Sequence, residues 1–187
     1  MRPAVILEIA IREVSTYCAL AELAYRKIDK SGRQAPEDSY LFIHALLGNC
    51  AAVAHLLWSP EFGEATGGKT IAALLEVPSD YHIEDDRVRE MVDRYDYRLA
   101  HGLAARGEVA KLLDFNIGDR DAFEEEMSVF LRHYDPTVDG LTLMEEDFSL
   151  ARIAVEVGDI RTRAEAWLAR NGVLVSHPTG PSIPPRH

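Results

Sequence analysis

Apolar residues recur along most of this chain at steps of three and four, which is the spacing of one face of an α-helix. The pattern predicts a first long helix from about Pro3 to Lys30, which Gly32 ends. Pro36, followed by two acidic residues, predicts the start of a second helix that continues to Trp58 and is apolar on nearly every side. We expect this second helix to be the central core helix.

A third long helix is predicted from about Asp86 to Arg106, and it carries two stripes on different faces. The apolar stripe consists of Val88, Met91, Val92, Tyr95 and Leu99. The basic stripe consists of Arg87, Arg94, Arg98 and His101. The basic stripe is a candidate site, because it sets three guanidinium groups beside one imidazole. The alternative is a solvated face in which Glu90 pairs with Arg94 and the arginines keep the helix soluble.

The helical spacing is interrupted between residues 128 and 144, where apolar and polar residues alternate. The alternation predicts a β-hairpin with strands at about 128–134 and 141–144, joined by residues 135–140. Before the hairpin, a short extended piece is predicted within 109–115 and a turn at 116–119. A last helix is predicted to open near Ser149 and to end at Asn171-Gly172.

These elements predict a mainly α fold, an antiparallel bundle of four or five helices with one appended β-hairpin. Residues 1–172 are expected to form a single helical domain, and the proline-rich residues 173–187 a flexible tail. The length agrees with one core, because the chain has 187 residues of which 47% are hydrophobic.

The charge of the chain limits its partners. With 31 acidic and 20 basic side chains the formal charge is −11, which argues against general binding of DNA or RNA over the whole surface. A local basic site stays open. Cys18 and Cys50 lie in apolar helical sequence and are expected to be reduced core residues of a cytoplasmic protein. The N-terminal apolar run predicts no signal peptide, because it is interrupted by Glu8, Arg12 and Glu13.

The stretch from Gly63 to Thr70, GEATGGKT, fits the GxxxxGK[ST] string of phosphate-binding loops. That loop needs a buried β-strand before it, and here the preceding residues are the end of the second predicted helix. The alternative is a glycine-rich loop between helices, in which Thr70 caps a short helix from Ile71 to Glu76 that Pro78 stops. We favour the alternative, and nucleotide binding stays a secondary hypothesis.

Two histidines lie inside the second predicted helix. His44, Gly48, Ala51 and His55 share one face, but no third metal ligand follows at motif spacing, so no metal site is predicted. Close helix packing at Gly48 and Ala51 is the preferred interpretation of the small residues. Both histidines, with Asn49, also argue against the helix being a membrane span, for which its length and composition would otherwise suffice.

The third predicted helix contains the stretch Asp96-Tyr97-Arg98-Leu99-Ala100-His101-Gly102 near its end. This stretch resembles the signature of the HEPN superfamily, Arg-polar-x-x-x-His near the end of a long helix, commonly reading like RNxLAHG. The stretches FNIGDRDAF and RHYDPTVDGLTLMEEDFSL further along are similar to the AbiU2-like branch, so the likeness covers about Tyr40 to Trp167. It implies a small up-and-down helical bundle that pairs through its histidine helix. Members include metal-independent ribonucleases of toxin–antitoxin, abortive-infection and CRISPR systems.

The chain departs from that signature at Asp96, which stands where the family places its arginine and would repel a phosphate. The catalytic role of the family therefore carries over to His101 alone, with Arg98 and Arg94 on the same face as candidates for holding phosphate oxygens. His133, on the predicted hairpin, could face this helix, although a lone histidine in a strand is more often structural.

Two classes of function follow from these observations. The first is a HEPN-like defence or toxin–antitoxin-related factor that binds or cleaves RNA, degenerate at Asp96 and acting as a homodimer without metal or cofactor. The second is a non-enzymatic helical protein that binds a protein partner or itself, which the acidic composition and Asp96 favour. Neither class involves a membrane or general DNA binding.

Overall fold

Long helices form most of the protein in this computed structural model, which describes residues 3–28, 36–84, 88, 97, 100, 111–123, 128–144 and 146–173. The long helices of the described part are α1 (Pro3–Lys27), α2 (Pro36–Trp58) and α5 (Leu150–Arg170). Two short helices follow α2, namely α3 (Gly63–Thr66) and α4 (Ile71–Leu74). The prediction of a mainly helical protein with a small strand region is thereby confirmed.

Helix α1 packs against both α2 and α5, and the core lies between these three helices. Completely buried side chains from each helix meet there and include Ile11 and Val14 of α1, Leu46 and Val53 of α2, and Ile153 and Ile160 of α5. Cys18 and Cys50 are buried and free, as predicted. Each aliphatic side chain of this kind contributes about 1.5–3 kcal/mol by leaving water, so this core is the main source of stability.

The ends of the long helices follow their sequence signals. Helices α1 and α2 begin at Pro3 and Pro36, as predicted, and α1 ends three residues earlier than predicted. At the start of α5 the side chain of Ser149 accepts a hydrogen bond of 3.3 Å from the backbone N–H of Arg152. Just after α5, Gly172 adopts a φ of 71°, the left-handed conformation that ends many helices.

Helix α2 is long and apolar enough to cross a membrane, and no other helix in the described part is. Helix α2 lies against α1, and its buried residues include Ile43, Leu46 and Leu57. A buried core helix passes the same test of length and composition, and 44% of the apolar stretch of α2 is buried inside the protein.

The strand region is more elaborate than one hairpin. Four strands form a sheet in the order β2 (Asn116–Ile117), β4 (Arg132–Asp135), β5 (Gly140–Leu143) and β6 (Glu146–Ser149). The β4–β5 and β5–β6 pairs are antiparallel, and β2 joins β4 in parallel. A separate parallel pair is formed by β1 (Lys111–Leu113) and β3 (Ser128–Phe130).

Three sequence predictions about this region need correction. The strand predicted at 128–134 is divided at Leu131, whose N–H donates to the carbonyl of Leu113 and whose carbonyl accepts from Met144. The turn predicted at 116–119 is wrong at Asn116–Ile117, which is strand β2. The hairpin also continues into a third strand, β6, which was not predicted. In each case hydrogen bonds to a distant segment decide the local structure, and alternation of residues does not report such pairing.

A buried carboxylate joins the sheet to the helices. Asp139, in the turn between β4 and β5, accepts hydrogen bonds from the hydroxyl groups of Tyr134, at 2.8 Å, and of Tyr25 in α1. Its backbone φ of 51° is left-handed, a conformation that aspartate tolerates better than most residues. The turn is thereby held against α1, so the position of the sheet is fixed relative to the helical core.

A second buried carboxylate joins α5 to the segment that follows α4. Glu156 is 3% exposed and accepts hydrogen bonds from Nε of Arg152 at 3.0 Å and from the backbone N–H of Ile83 at 3.2 Å. Nδ1 of His82 lies 3.2 Å from the same carboxylate. Glu156 therefore anchors the short helical turn His82–Glu84 against α5.

Most of the helix predicted from Asp86 to Arg106 lies outside the described residues. Within it, Val88, Tyr97 and Ala100 are described and all three are helical. Val88 is buried, in agreement with its place in the predicted apolar stripe, and Tyr97 is exposed. Of the predicted tail at 173–187, residues 174–187 also lie outside the described part of the chain.

Candidate functional site

The three residues predicted to form the site, Arg94, Arg98 and His101, lie outside the described residues, as does Asp96. Two residues interleaved with them in sequence, Tyr97 and Ala100, are helical and exposed. The helical part of the sequence prediction is therefore confirmed at these two positions. The grouping of the arginines with the histidine stays a prediction.

The phosphate-loop string GEATGGKT lies between helices. Gly63–Thr66 forms α3, preceded by the short helical turn Pro60–Phe62 and by α2 rather than by a strand. The side chain of Thr70 caps α4 by accepting a 3.1 Å hydrogen bond from the N–H of Ala73, as the alternative interpretation predicted. The first residues of the string are thus in a helix, and the strand–loop–helix arrangement that cradles phosphates is not formed.

The histidines of α2 do not form a metal site with described residues. His44 and His55 are both exposed, and within the described part of the chain no group of three His, Cys, Asp or Glu residues could hold a metal ion. Among the described residues the close packing predicted at Gly48 is not seen, because a Cβ added there would meet none of their atoms within 4 Å, whereas Ala51 is buried. No neighbouring helix in the described part of the chain therefore requires a glycine at this position.

A cluster of side chains around a charged pair joins the sheet to α2. Arg132 of β4 donates from Nε and Nη2 to the two carboxylate oxygens of Asp114, both at 2.6 Å, and its guanidinium lies 3.9 Å from the ring centre of Phe115. The Phe115 ring in turn meets Tyr40 edge-on at 5.1 Å, and the Tyr40 hydroxyl donates to the carbonyl of Asn116 at 2.9 Å. The cation and the carboxylate neutralise each other in a two-bond geometry, so this cluster is best interpreted as a structural clamp.

The described residues also form a cavity of about 280 Å³ on the sheet. Three of its polar residues, His133, Thr142 and Asp147, occupy paired positions on the adjacent strands β4, β5 and β6. Paired residues of neighbouring strands point to the same face of a sheet, which explains why the three converge although they are distant in sequence. Arg120 and Asp135 complete the polar lining, and the exposed side chain of Val138 supplies apolar surface.

His133 is the unusual member of this cavity, because its side chain is 1% exposed and neither ring nitrogen has a hydrogen-bond partner among the described residues. The imidazole ring lies 4.8 Å from the ring centre of Phe130 and 5.7 Å from that of Phe123. Burial lowers the pKa of His133 below its ordinary value of 6.5, and the charge of Arg120 acts in the same direction, although Asp135, Asp119 and Asp147 oppose it. The ring is therefore neutral at pH 7, with one nitrogen a donor and the other an acceptor.

The other polar groups of the cavity have partners inside the protein. Asp147 accepts a hydrogen bond of 2.6 Å from the Thr142 hydroxyl and one of 3.2 Å from Arg120. Asp135 accepts from the backbone N–H of Thr137 at 2.8 Å and from its hydroxyl at 2.6 Å. Burial opposes ionisation of Asp135, but these hydrogen bonds outweigh it and hold its pKa below the ordinary value. Both carboxylates therefore lie around an imidazole that makes no hydrogen bond with the described residues.

From the sequence, His133 was expected either to face the third predicted helix or to be structural, and the rest of the cavity was missed. Arg120, Thr142 and Asp147 come from a helical turn and two strands that no common motif connects. The signal that could have found two of them is the register of the β4–β5–β6 meander, which aligns His133, Thr142 and Asp147 once the third strand is recognised.

Comparisons with known proteins give no relative for this chain: no family model matches it, and neither a curated protein nor a solved structure is similar to it.

The buried imidazole gives the protein a specific acid sensitivity. Because the folded chain holds the pKa of His133 below 6.5, protonation favours the unfolded chain. The stabilising effect of the neutral ring is therefore complete above pH 6.5 and is lost as the pH falls from 6.5 through the folded pKa. Between pH 7 and pH 5 we expect the free energy of unfolding to fall more steeply in the wild type than in His133→Gln. The two slopes should differ by up to about 1.4 kcal/mol for each pH unit.

Urea unfolding at a series of pH values measures this difference, with His55→Gln, an exposed histidine of α2, as the matched control. Equal pH slopes for the wild type and His133→Gln would show that His133 titrates alike in the folded and unfolded chains, contrary to the prediction.

Proposed function

We propose that this protein is a HEPN-like factor that acts on RNA, with its activity weakened by Asp96. The observation that carries the proposal is the stretch DYRLAHG at 96–102, which resembles the end of the histidine helix of that superfamily. The mainly helical fold, with Tyr97 and Ala100 of this stretch in helical conformation, supports it. Because the chain is acidic overall, we place RNA binding at one local basic site on the surface.

The chemistry of the proposed site follows from its side chains. The imidazole of His101 changes charge near neutral pH and can move the proton of the attacking 2′-hydroxyl group. The guanidinium groups of Arg94 and Arg98 stay protonated and can bind phosphate oxygens as negative charge develops. The carboxylate of Asp96 opposes phosphate binding at the same place, so we expect slow cleavage, or binding without cleavage.

The proposal is tested with a fluorescently labelled single-stranded RNA in the presence of EDTA, which excludes metal-dependent nuclease contaminants. We expect the purified full-length protein to bind the RNA with an affinity that falls as salt is raised, because phosphate contacts release counterions. Slow, metal-independent appearance of cleaved fragments is the expected signature of retained activity. A protein that neither binds nor cleaves such RNA at low salt would remove the proposal.

A second function, binding of a protein partner or of a second copy without chemistry, is favoured by the surface of α1. Helix α1 exposes large apolar side chains that each keep roughly two fifths or more of their surface in contact with solvent, namely Val5, Ile6, Ile9, Leu20 and Leu23. Exposed apolar surface grouped on one element is typical of an interaction site. In either function we propose a cytoplasmic homodimer that contacts no membrane and does not bind DNA in general.

Self-association is expected to proceed through the histidine helix, where Tyr97 is 48% exposed. Tyrosine is enriched at the centres of protein interfaces, and a carboxylate in its place adds a desolvation cost on both sides of a two-fold contact. We therefore expect a dimer for the wild type at micromolar concentration and a monomer for Tyr97→Glu.

Sedimentation velocity distinguishes these states, and Val155→Glu, which changes a side chain that is 73% exposed on α5, is the matched control that should stay dimeric. A wild-type protein that sediments as a monomer throughout the micromolar range would contradict the prediction.

A further inference from the structure

We propose that the cavity beside His133 binds a small neutral or cationic molecule that carries hydroxyl or amino groups. The cavity is on the sheet, and its lining includes Arg120, His133, Asp135, Thr142 and Asp147. None of these residues belongs to the proposed RNA site, so the inference does not depend on the proposed function. The imidazole of His133, which has no partner among the described residues, the charge of the lining residues and the size of the cavity support it.

The imidazole of His133 needs hydrogen-bond partners that the described residues do not supply. A buried polar group without a partner is unfavourable, and such groups are nearly always satisfied in folded proteins. The ring of His133 lines the cavity but its nitrogens are buried, so a molecule in the cavity reaches them only when the ring turns toward it. A neutral imidazole offers one donor and one acceptor, and a hydroxyl group both donates and accepts.

The charge of the cavity selects against anions. Its two carboxylates, Asp135 and Asp147, face a single guanidinium, and that guanidinium, of Arg120, already lies 3.2 Å from Asp147. Asp135 therefore leaves one net negative charge beside His133, since its low pKa keeps it ionised at neutral pH. In this surrounding an ammonium group is attracted and a carboxylate or phosphate is repelled.

The size of the cavity restricts the ligand to a small molecule. Its volume of about 280 Å³ lies just below the range of typical ligand sites, about 300–1,000 Å³. The apolar surface of Val138 suits a short carbon chain between polar groups. Val138 and Asp147 are exposed, so the cavity is open to solvent. An amino alcohol or a short polyol has this combination of size, charge and hydrogen-bonding groups.

The proposal is tested by titrating the full-length protein, labelled with ¹⁵N in its histidines, with ethanolamine, glycerol or acetate, and following the ring nitrogens of His133 by NMR. We expect saturable shifts of the His133 nitrogens with ethanolamine and with glycerol, the former at lower concentration, and no saturable shift with acetate. The proposal is overturned if neither ethanolamine nor glycerol gives a saturable shift up to about 100 mM, a concentration that detects even millimolar affinities. It is also overturned if acetate gives the same shift, because the shift of the His133 nitrogens would then not depend on the charge of the ligand.

A variant separates recognition from a general solvent effect. Asp135→Asn keeps an acceptor oxygen for Thr137, so the turn is retained, but it removes the negative charge. We expect the dissociation constant for ethanolamine to rise about tenfold or more and that for glycerol to change little, because only the first ligand makes a charge-assisted contact. Asp38→Asn, at an exposed position of α2, is the matched control. An equal loss for both ligands in Asp135→Asn, or in the control, would overturn the assignment of Asp135 as the charge-selecting residue.

Discussion

Replacing Glu156 with alanine is expected to lower the free energy of unfolding by about 2–4 kcal/mol, because a buried acceptor of several hydrogen bonds is removed. The carboxylate is 3% exposed and accepts from the backbone N–H of Ile83 and from Arg152. In the variant Arg152 can return to water, since half of its side chain is exposed. The N–H of Ile83 cannot, because Ile83 is completely buried, so its desolvation is no longer compensated.

Urea denaturation followed by circular dichroism measures this loss. Two further variants on α5 serve as controls. Val155→Ala, at a side chain that is 73% exposed, should change the free energy of unfolding by no more than about 0.5 kcal/mol. Glu156→Gln keeps one acceptor oxygen and should fall between alanine and the wild type. A loss below about 1 kcal/mol for Glu156→Ala would show that the anchoring of His82–Glu84 contributes little to stability.

The largest effect on activity is expected at the motif histidine. If the protein cleaves RNA, His101→Ala should reduce the rate by a factor of about a hundred to ten thousand, the usual contribution of one proton-transfer group. Asp96→Arg restores the spacing of the HEPN signature and replaces a charge that repels phosphate by one that attracts it, so we expect faster cleavage in this variant. Single-turnover cleavage in EDTA measures both rates.

The control for these variants is His55→Ala, which removes an exposed imidazole of α2 and should leave the rate unchanged. Unchanged circular dichroism is required of each variant, so that a folding defect is not counted as a catalytic one. Should the wild type show no cleavage and Asp96→Arg gain none, the DYRLAHG stretch is a structural relic and partner binding becomes the preferred function.

The long helices could be predicted closely from the sequence because their signals are local. Pro36 and the acidic residues after it start α2, Ser149 caps α5, and Gly172 follows its end. Each of these signals acts through hydrogen bonds or backbone conformations within one helical turn, so that no knowledge of distant residues is needed. The same holds for Thr70, whose cap on α4 was predicted, although the first half of GEATGGKT forms α3 instead of the expected loop.

The strands could be predicted only in part, because their partners are distant. The β4–β5 hairpin was predicted from the alternation of residues. In the parallel pairs β1–β3 and β2–β4, by contrast, 15 to 20 residues of chain separate the two partners, as the pairings of Leu112 with Val129 and of Asn116 with His133 show. Strands of two to four residues carry too few positions for a pattern. Their hydrogen bonds, not their composition, define them.

The sequence by itself determined the helical class of the protein, the starts of α1, α2 and α5 and the burial of Cys18 and Cys50, since these follow from local capping and from apolar periodicity. Only the tertiary structure decided which polar residues are buried. Glu156 and His133 look like surface residues in the sequence, and they are buried because α5 meets the turn His82–Glu84 and because three strands align in register. Burial of a polar group depends on contacts between distant segments, and so the cavity beside His133 appears only once the chain is folded.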